Sequence, residues 1–249
     1  MRKTVLAALL AVLISGPARA GLLDLGFHAG YTSVSMADLN HANAATYGWY
    51  PSDHTDSLSS GYVLGLDLTS RHLTRLDWLK LGLRGEYLRT NPAEMDSIHR
   101  IGINSSRLDY VDQGNMAGAL VGASVSAPFI AERLDLAFGA WFGGAYGTMA
   151  QGVSFNGGKG STASSAPSNG VYTSMYAVGE LESTLSWRLN GRLSLDFSGG
   201  WRWADAGNMK DDKGTALYDT LQYWQFNRKT PVNVDFSGLS AQGGLKAAF

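Results

Sequence analysis

Between Leu134 and Gly147 the chain alternates in a way that only one kind of element can use. Leu134, Leu136, Phe138, Ala140, Phe142 and Tyr146 fall on one side at period two; Asp135, Ala137, Gly139, Gly143, Ala145 and Gly147 fall on the other. A strand sends alternate residues to opposite faces, whereas a helix would scatter this set around its axis. Two long uncharged stretches, 113–131 and 136–158, fail as membrane helices because Gly recurs every few residues, with Ser, Gln and Asn among them. An apolar face backed by a small or polar one predicts a transmembrane β-strand, with lipid outside and a filled lumen inside.

The pattern recurs seven more times. Leu23, Leu25, Phe27, Ala29 and Tyr31 oppose Asp24, Gly26, His28 and Thr32. Tyr62, Leu64, Leu66 and Leu68 oppose Gly65, Asp67 and Thr69, and Leu79, Leu81, Leu83 and Tyr87 oppose Lys80, Gly82, Arg84 and Glu86. Ala117 to Val125 alternates more weakly. Met175, Ala177, Leu181, Leu185 and Trp187 face away from Tyr176, Glu180, Glu182, Ser186 and Arg188. Leu193, Leu195, Phe197, Trp201 and Trp203 face away from Arg192, Ser194, Asp196 and Arg202, and Leu239 to Phe249 closes the series. The fold class is therefore all-β: an antiparallel up-and-down transmembrane barrel of eight strands.

Seven connections follow, and their lengths sort by side. Connections two, four and six are short: Ser70–Leu76, Ala127–Ala131, and Asn190-Gly191, a pair that signals a type I′ hairpin. The others, about 36–60, 91–113, 149–170 and 206–231, are long and are numbered loops one to four. Short periplasmic turns opposite long extracellular loops are the asymmetry of an outer-membrane barrel. A ten-strand barrel is the alternative, recruiting Ile101–Asp112 and Ala216–Phe226, although the latter better continues a hairpin above the membrane or caps the rim.

The ends of the chain set the compartment. Arg2 and Lys3, the apolar run Val5 to Ile14, and Ala18-Arg19-Ala20 compose a secretory signal peptide, residues 1–20, cleaved after Ala20. Residues 21–249 then form one barrel domain. Without Arg2, Lys3 and Arg19 the 20 basic residues fall to 17 against 21 acidic, which gives no reason to expect nucleic acid as a partner. With no Cys, disulfides, thiolate metal sites and Cys nucleophiles are excluded.

Phe249, preceded at every second position by Ala247 and Leu245, resembles the C-terminal signal read by the barrel assembly machinery of Gram-negative bacteria. In pattern, the whole mature chain resembles the small outer-membrane barrels, the class of the OmpA membrane domain and OmpX. That resemblance implies a monomer in the cell outer membrane, with outer-membrane lipid and lipopolysaccharide as its surroundings.

An eight-stranded barrel is narrow enough to be filled by side chains. Its inward charges read as Asp24, Asp67, Glu86, Asp135, Glu180, Glu182 and Asp196 against Lys80, Arg84, Arg188, Arg192, Arg202 and Lys246, with His28 beside them. A nearly neutral set suggests an ion-paired plug, because an unpaired buried charge is costly. A narrow ion or small-solute channel is the rival reading. Tyr31, Tyr87, Tyr146, Trp201 and Trp203 at one level, with Trp187 and Phe249 at the other, read as interfacial girdles.

Activity then falls to the loops, which otherwise read as solvated. Loops one and four are neighbours because strand one closes against strand eight. Asp53-His54 beside Asp211-Asp212 resembles the Asp-His and Asp-Asp pairs of the omptin proteases, which activate a water, although omptins have ten strands and carry those pairs on strand tops. No metal spacing and no phosphate-loop spacing appears; the Gly-Lys-Gly-Ser of loop three satisfies neither. The expectation is a barrel without enzymatic activity and without a cofactor, meeting an extracellular ligand through its loops in adhesion or surface interaction, or serving envelope integrity.

Overall fold

The computed structural model describes residues 23–47, 52–70, 78–101, 104–130, 133–156, 170–218 and 230–249. The signal segment, connection two (71–76) and most of loop three lie outside them, as do residues 219–226 of loop four. In chain order the elements are β1 (Asp24–Ser33), α1 (Ala37–Tyr47), β2 (Ser52–Thr55), β3 (Ser60–Ser70), β4 (Leu79–Thr90), β5 (Ala93–Ile101) and β6 (Asn104–Ile130). They continue as β7 (Leu134–Asn156), β8 (Gly170–Arg188), β9 (Leu193–Trp203), β10 (Asp205–Gly207), β11 (Val234–Asp235) and β12 (Gly238–Ala248).

Eight of these are staves. The ring runs β1, β3, β4, β6, β7, β8, β9 and β12, every neighbour antiparallel, and β12 returns to β1 with Asp24 opposite Ala248 and Thr32 opposite Ser240. Closure leaves no edge at membrane depth, which is the condition for a sheet in lipid. Phe27, Leu66, Leu83, Val121, Phe142, Leu181, Phe197 and Leu245 stand exposed around the outside, an apolar band that suits hydrocarbon. Tyr31, Tyr62, Tyr87, Tyr146, Trp201 and Trp203 rim it on one side, with Trp78, Phe129, Trp187 and Phe249 on the other. Tyr31 and Tyr62 touch edge to face, with ring centroids 5.7 Å apart.

The ten-strand alternative is overturned by the register. Within Ile101–Asp112 the described residues, Ile101 and Asn104–Asp112, are strand, but they pair into a hairpin of β5 with the upper part of β6, from Ala93 opposite Asp112 to Ile101 opposite Asn104, and β2 adds to the outer edge of β5. Connection three is therefore a projecting sheet and not a loop. Connection five is shorter than its 149–170 expectation for the same reason, since β7 stays paired to β6 as far as Asn156.

Two turns also differ from expectation. β6 runs on to Ile130, into the expected turn at Ala127–Ala131, through a register shift at Pro128, where a residue without an N–H cannot keep the ladder regular. The β8–β9 turn spans 189–192 and is not a two-residue type I′ loop. Asn190 governs it through its side chain, whose Oδ1 accepts from the backbone N–H of Arg192 and of Leu193, both at 2.9 Å.

The long-loop end is filled from within. Loop one enters as α1, whose Leu39 and Ala42 are buried beside Met36; loop four enters through Ala206, Met209, Leu217, Val232, Val234 and Phe236. These meet the uppermost inward residues of the wall, Leu88, Met116, Ala145, Met149 and Tyr172, in one apolar cluster. Asn40 holds Leu58 as a strand partner would, accepting from its N–H and donating to its C=O, each at 2.9 Å. Asn43 donates to buried Asp112 of β6 at 2.9 Å, tying the helix to the wall. These described parts of loops one and four pack as a core and not as a solvated fringe.

Candidate functional site in the charged lumen

Strand parity decides which side chains enter the lumen, and β4 and β8 each contribute two charges at successive inward positions: Arg84 and Glu86, and Glu180 and Glu182. With Arg202 of β9, Asp67 of β3 and His28 of β1 they form the middle layer. Arg84 is its hub. Its Nε donates to Asp67 at 2.7 Å, its Nη2 to Glu182 at 2.7 Å, and its Nη1 to Glu182 and Glu180 at 2.9 and 3.1 Å. Arg202 is wholly buried, with Nε 2.5 Å from Glu180 and Nη2 2.6 Å from Glu86. His28 places Nδ1 3.2 Å from Asp67 and Nε2 3.8 Å from Glu86.

Around the short-turn mouth the remaining charges lie in separate pairs. Lys80 meets Asp24 at 3.1 Å, Arg188 meets Asp135 at 2.6 Å, and Lys246 meets Asp196. Arg192 lines the same opening from the β8–β9 turn. Among the sequence-derived set, thirteen side chains thus stand in pairs or in the middle layer, and Arg192 joins them at the rim. At the C-terminus Leu245 and Phe249 are exposed on the outside. Ala247 also faces out, yet is buried, because it sits in register between the larger Leu25 and Leu193.

Two participants escape a reading by charge. Trp141 shares the inward parity of Gly139 and Gly143, and its indole N–H donates to Glu182 at 2.8 Å while the Arg84 guanidinium lies 4.2 Å from its ring centroid. Such a cation over a tryptophan face adds to the ion pairs already holding Arg84. The second participant is glycine. A Cβ on Gly122 would run into the Trp141 ring and one on Gly65 into the His28 imidazole; Tyr176 and Phe236 likewise lie over Gly147 and Gly114, each 2.8 Å from where a Cβ would be. In so narrow a barrel a ring fits only where the facing strand has no side chain. Parity was the signal that could have found Trp141.

Above the middle layer the chemistry changes at once. Tyr176 stacks on Phe236, ring centroids 6.1 Å apart, and the apolar cluster begins. A path through the lumen would have to cross two closures of opposite character.

The described backbone places the omptin-like pairs on separate elements. β2, which carries Asp53-His54, adds to the outer edge of the β5–β6 hairpin, and its side chains lie outside the described residues. Lys210, next to Asp211, instead bridges to Thr173 of β8. The Asp211 carboxylate accepts from the N–H groups of Lys213 and Thr215 at 3.0 and 2.7 Å, so it closes its own turn. Among the described residues no group of three or more His, Cys, Asp or Glu is placed to hold a metal ion.

No protein-family model and no curated protein matches the chain. Among solved structures it is similar to Neisserial surface protein A, with a TM-score of 0.44 and 10% identity over 93% of this chain and 99% of that one. It is similar to the outer membrane protein OprG of Pseudomonas aeruginosa, with a TM-score of 0.42 and 14% identity over 94% and 99%. A third is the outer membrane protease OmpT of Escherichia coli, with a TM-score of 0.39 and 8% identity over 95% and 100%. The closed eight-stave register and the exposed apolar band give this chain the fold of a small outer-membrane barrel on their own evidence.

Proposed function

We propose that the chain is an outer-membrane barrel that neither conducts nor catalyses, and that it works at the cell surface through its long-loop end, in surface interaction or adhesion or in envelope integrity. The observation that carries this reading is the double closure of the lumen. Among the described residues, the Arg84–Arg202 layer fills the waist with buried side chains, and the apolar cluster of loops one and four packs above it, which supports the reading.

A second feature points the same way. A tilted membrane strand needs about 9–11 residues, and β6 and β7 have 27 and 23. Their surplus, with β5 and β2, builds a sheet that projects past the lipid band and presents its backbone to whatever the cell meets. A Gram-negative outer membrane with the short turns in the periplasm fits the signal-peptide pattern, the terminal Phe249 and the loop asymmetry.

Single-channel recording tests the closure. Residues 21–249, refolded in detergent and checked by heat-modified mobility on a gel, should give no discrete conductance in a planar bilayer. Steady unitary currents from verified folded protein would overturn the reading and make the barrel a narrow pore.

A further inference from the structure

Below the Arg84 layer the described residues do not fill the lumen. A cavity of about 350 Å³ opens at the short-turn mouth and ends blindly at Arg84, Trp141 and Glu182. Its size lies at the lower end of small-molecule sites. Hydroxyls line the wall between the charges, Thr184 and Ser126 among them. Three ion pairs stand around it, on three parts of the ring: Asp24 with Lys80 from β1 and β4, Asp135 with Arg188 from β7 and β8, Asp196 with Lys246 from β9 and β12.

We propose that this cup is a binding site for a small zwitterion, a solute of a few heavy atoms carrying both an ammonium and a carboxylate. The argument is one of pairing. At the Asp24–Lys80 and Asp196–Lys246 pairs, which are largely out of solvent, an entering anion must take the Lys from its carboxylate and a cation must take the Asp from its base; either leaves a confined charge without its partner. A zwitterion inserts into a pair and satisfies both ends, its ammonium on the Asp and its carboxylate on the Lys or Arg. Those contacts are charge-assisted and stronger than any a neutral polyol makes. The closed floor makes the cup a site and not a length of pore, so the inference needs neither conduction nor a particular loop-end partner.

The chain has no Cys, so one introduced thiol reports alone. In the full mature barrel in detergent, Thr184→Cys places it on the cup wall, and modification by a small methanethiosulfonate reagent is timed with γ-aminobutyrate, n-butylammonium or butyrate present. γ-Aminobutyrate should slow modification about tenfold at about ten times its dissociation constant, the factor simple occupancy gives. The two single-charge analogues should slow it little at the same concentration. Equal protection by all three, or none up to about 0.1 M, where only binding weaker than about 1.4 kcal/mol would be missed, would overturn the proposal. Ser126→Cys, a near-isosteric change on β6 two staves along the same wall, gives the same readout if Thr184→Cys fails to fold.

Discussion

Among the described residues the lumen carries a layer of paired charges at its waist and an apolar cluster at its long-loop end. The waist is built from side chains that alternate along regular strands: Arg84 and Glu86 on β4, Glu180 and Glu182 on β8, Arg202 on β9. The outer cap is built from segments with no common period, α1 and the returns of loop four, which bury Leu39, Met209, Leu217 and Phe236 completely or nearly so. The ionic layer holds only while every member has its counter-charge, whereas the cap gains from each apolar group separately, at roughly 1.5–3 kcal/mol for a large side chain. Damage should therefore spread differently through the two.

The largest effect is expected at Arg202. Arg202→Ala removes the shortest ion-pair partner of both Glu86 and Glu180 at a buried site, leaving them only Arg84 and the more distant His28, and breaking a buried pair from one side costs about 3–5 kcal/mol. The urea unfolding midpoint in lipid vesicles should fall accordingly, and adding Glu86→Gln with Glu180→Gln should recover much of the loss. A midpoint unmoved by Arg202→Ala would mean that the layer is looser than its distances say.

In the cap, Leu217→Ala removes a fully buried side chain and should cost about 2–4 kcal/mol. No second change nearby should rescue it, because no partner is left unsatisfied. Neither variant alone should conduct, since the other closure remains; the combination should. Conductance from Leu217→Ala by itself would show that the charged waist does not close the lumen.

Next comes the fit between rings and glycines. Gly65→Ala sets a methyl into the His28 imidazole, which Asp67 holds from the other side at 3.2 Å. Overpacking of this kind costs about 1–3 kcal/mol. Gly85→Ala is its control: nothing lies within 4 Å of the added carbon, which points outward into the apolar band, and unfolding should barely change.

These contrasts also explain what could be read from residues alone. Period two is a local property, so the staves, their outward faces and the inward direction of Asp67, Arg84 or Arg202 follow from parity. Trp141 was hidden by its own chemistry, since an apolar ring in an apolar stretch is ordinarily sent to the lipid, and only the count from Gly139 turns it inward. The cap was hidden for another reason. Met209 and Phe236 are 27 positions apart in one loop and meet α1 only through the closure of the ring, so no window along the chain contains the contact. Asn190-Gly191 misled because Asn can close a turn with its side chain as well as by adopting a primed conformation.

The smallest effect is expected at the mouth, and it sharpens the contrast between paired charges that are deep and paired charges that are wet. Arg188 sits on Asp135 at 2.6 Å, closer than most pairs in the waist, yet its side chain is 45% exposed, against 0% for Arg202. Geometry alone would rank the two bridges as equals. Solvent ranks them otherwise: an exposed pair is screened by water and salt, and contributes about 0–1 kcal/mol. Arg188→Ala should therefore move the urea midpoint by no more than that, and the shift should shrink further in high salt, where the Debye length is about 3 Å at 1 M. A loss as large as that of Arg202→Ala, insensitive to salt, would mean that the mouth is as dry as the waist, and the line drawn between the two would have to be erased.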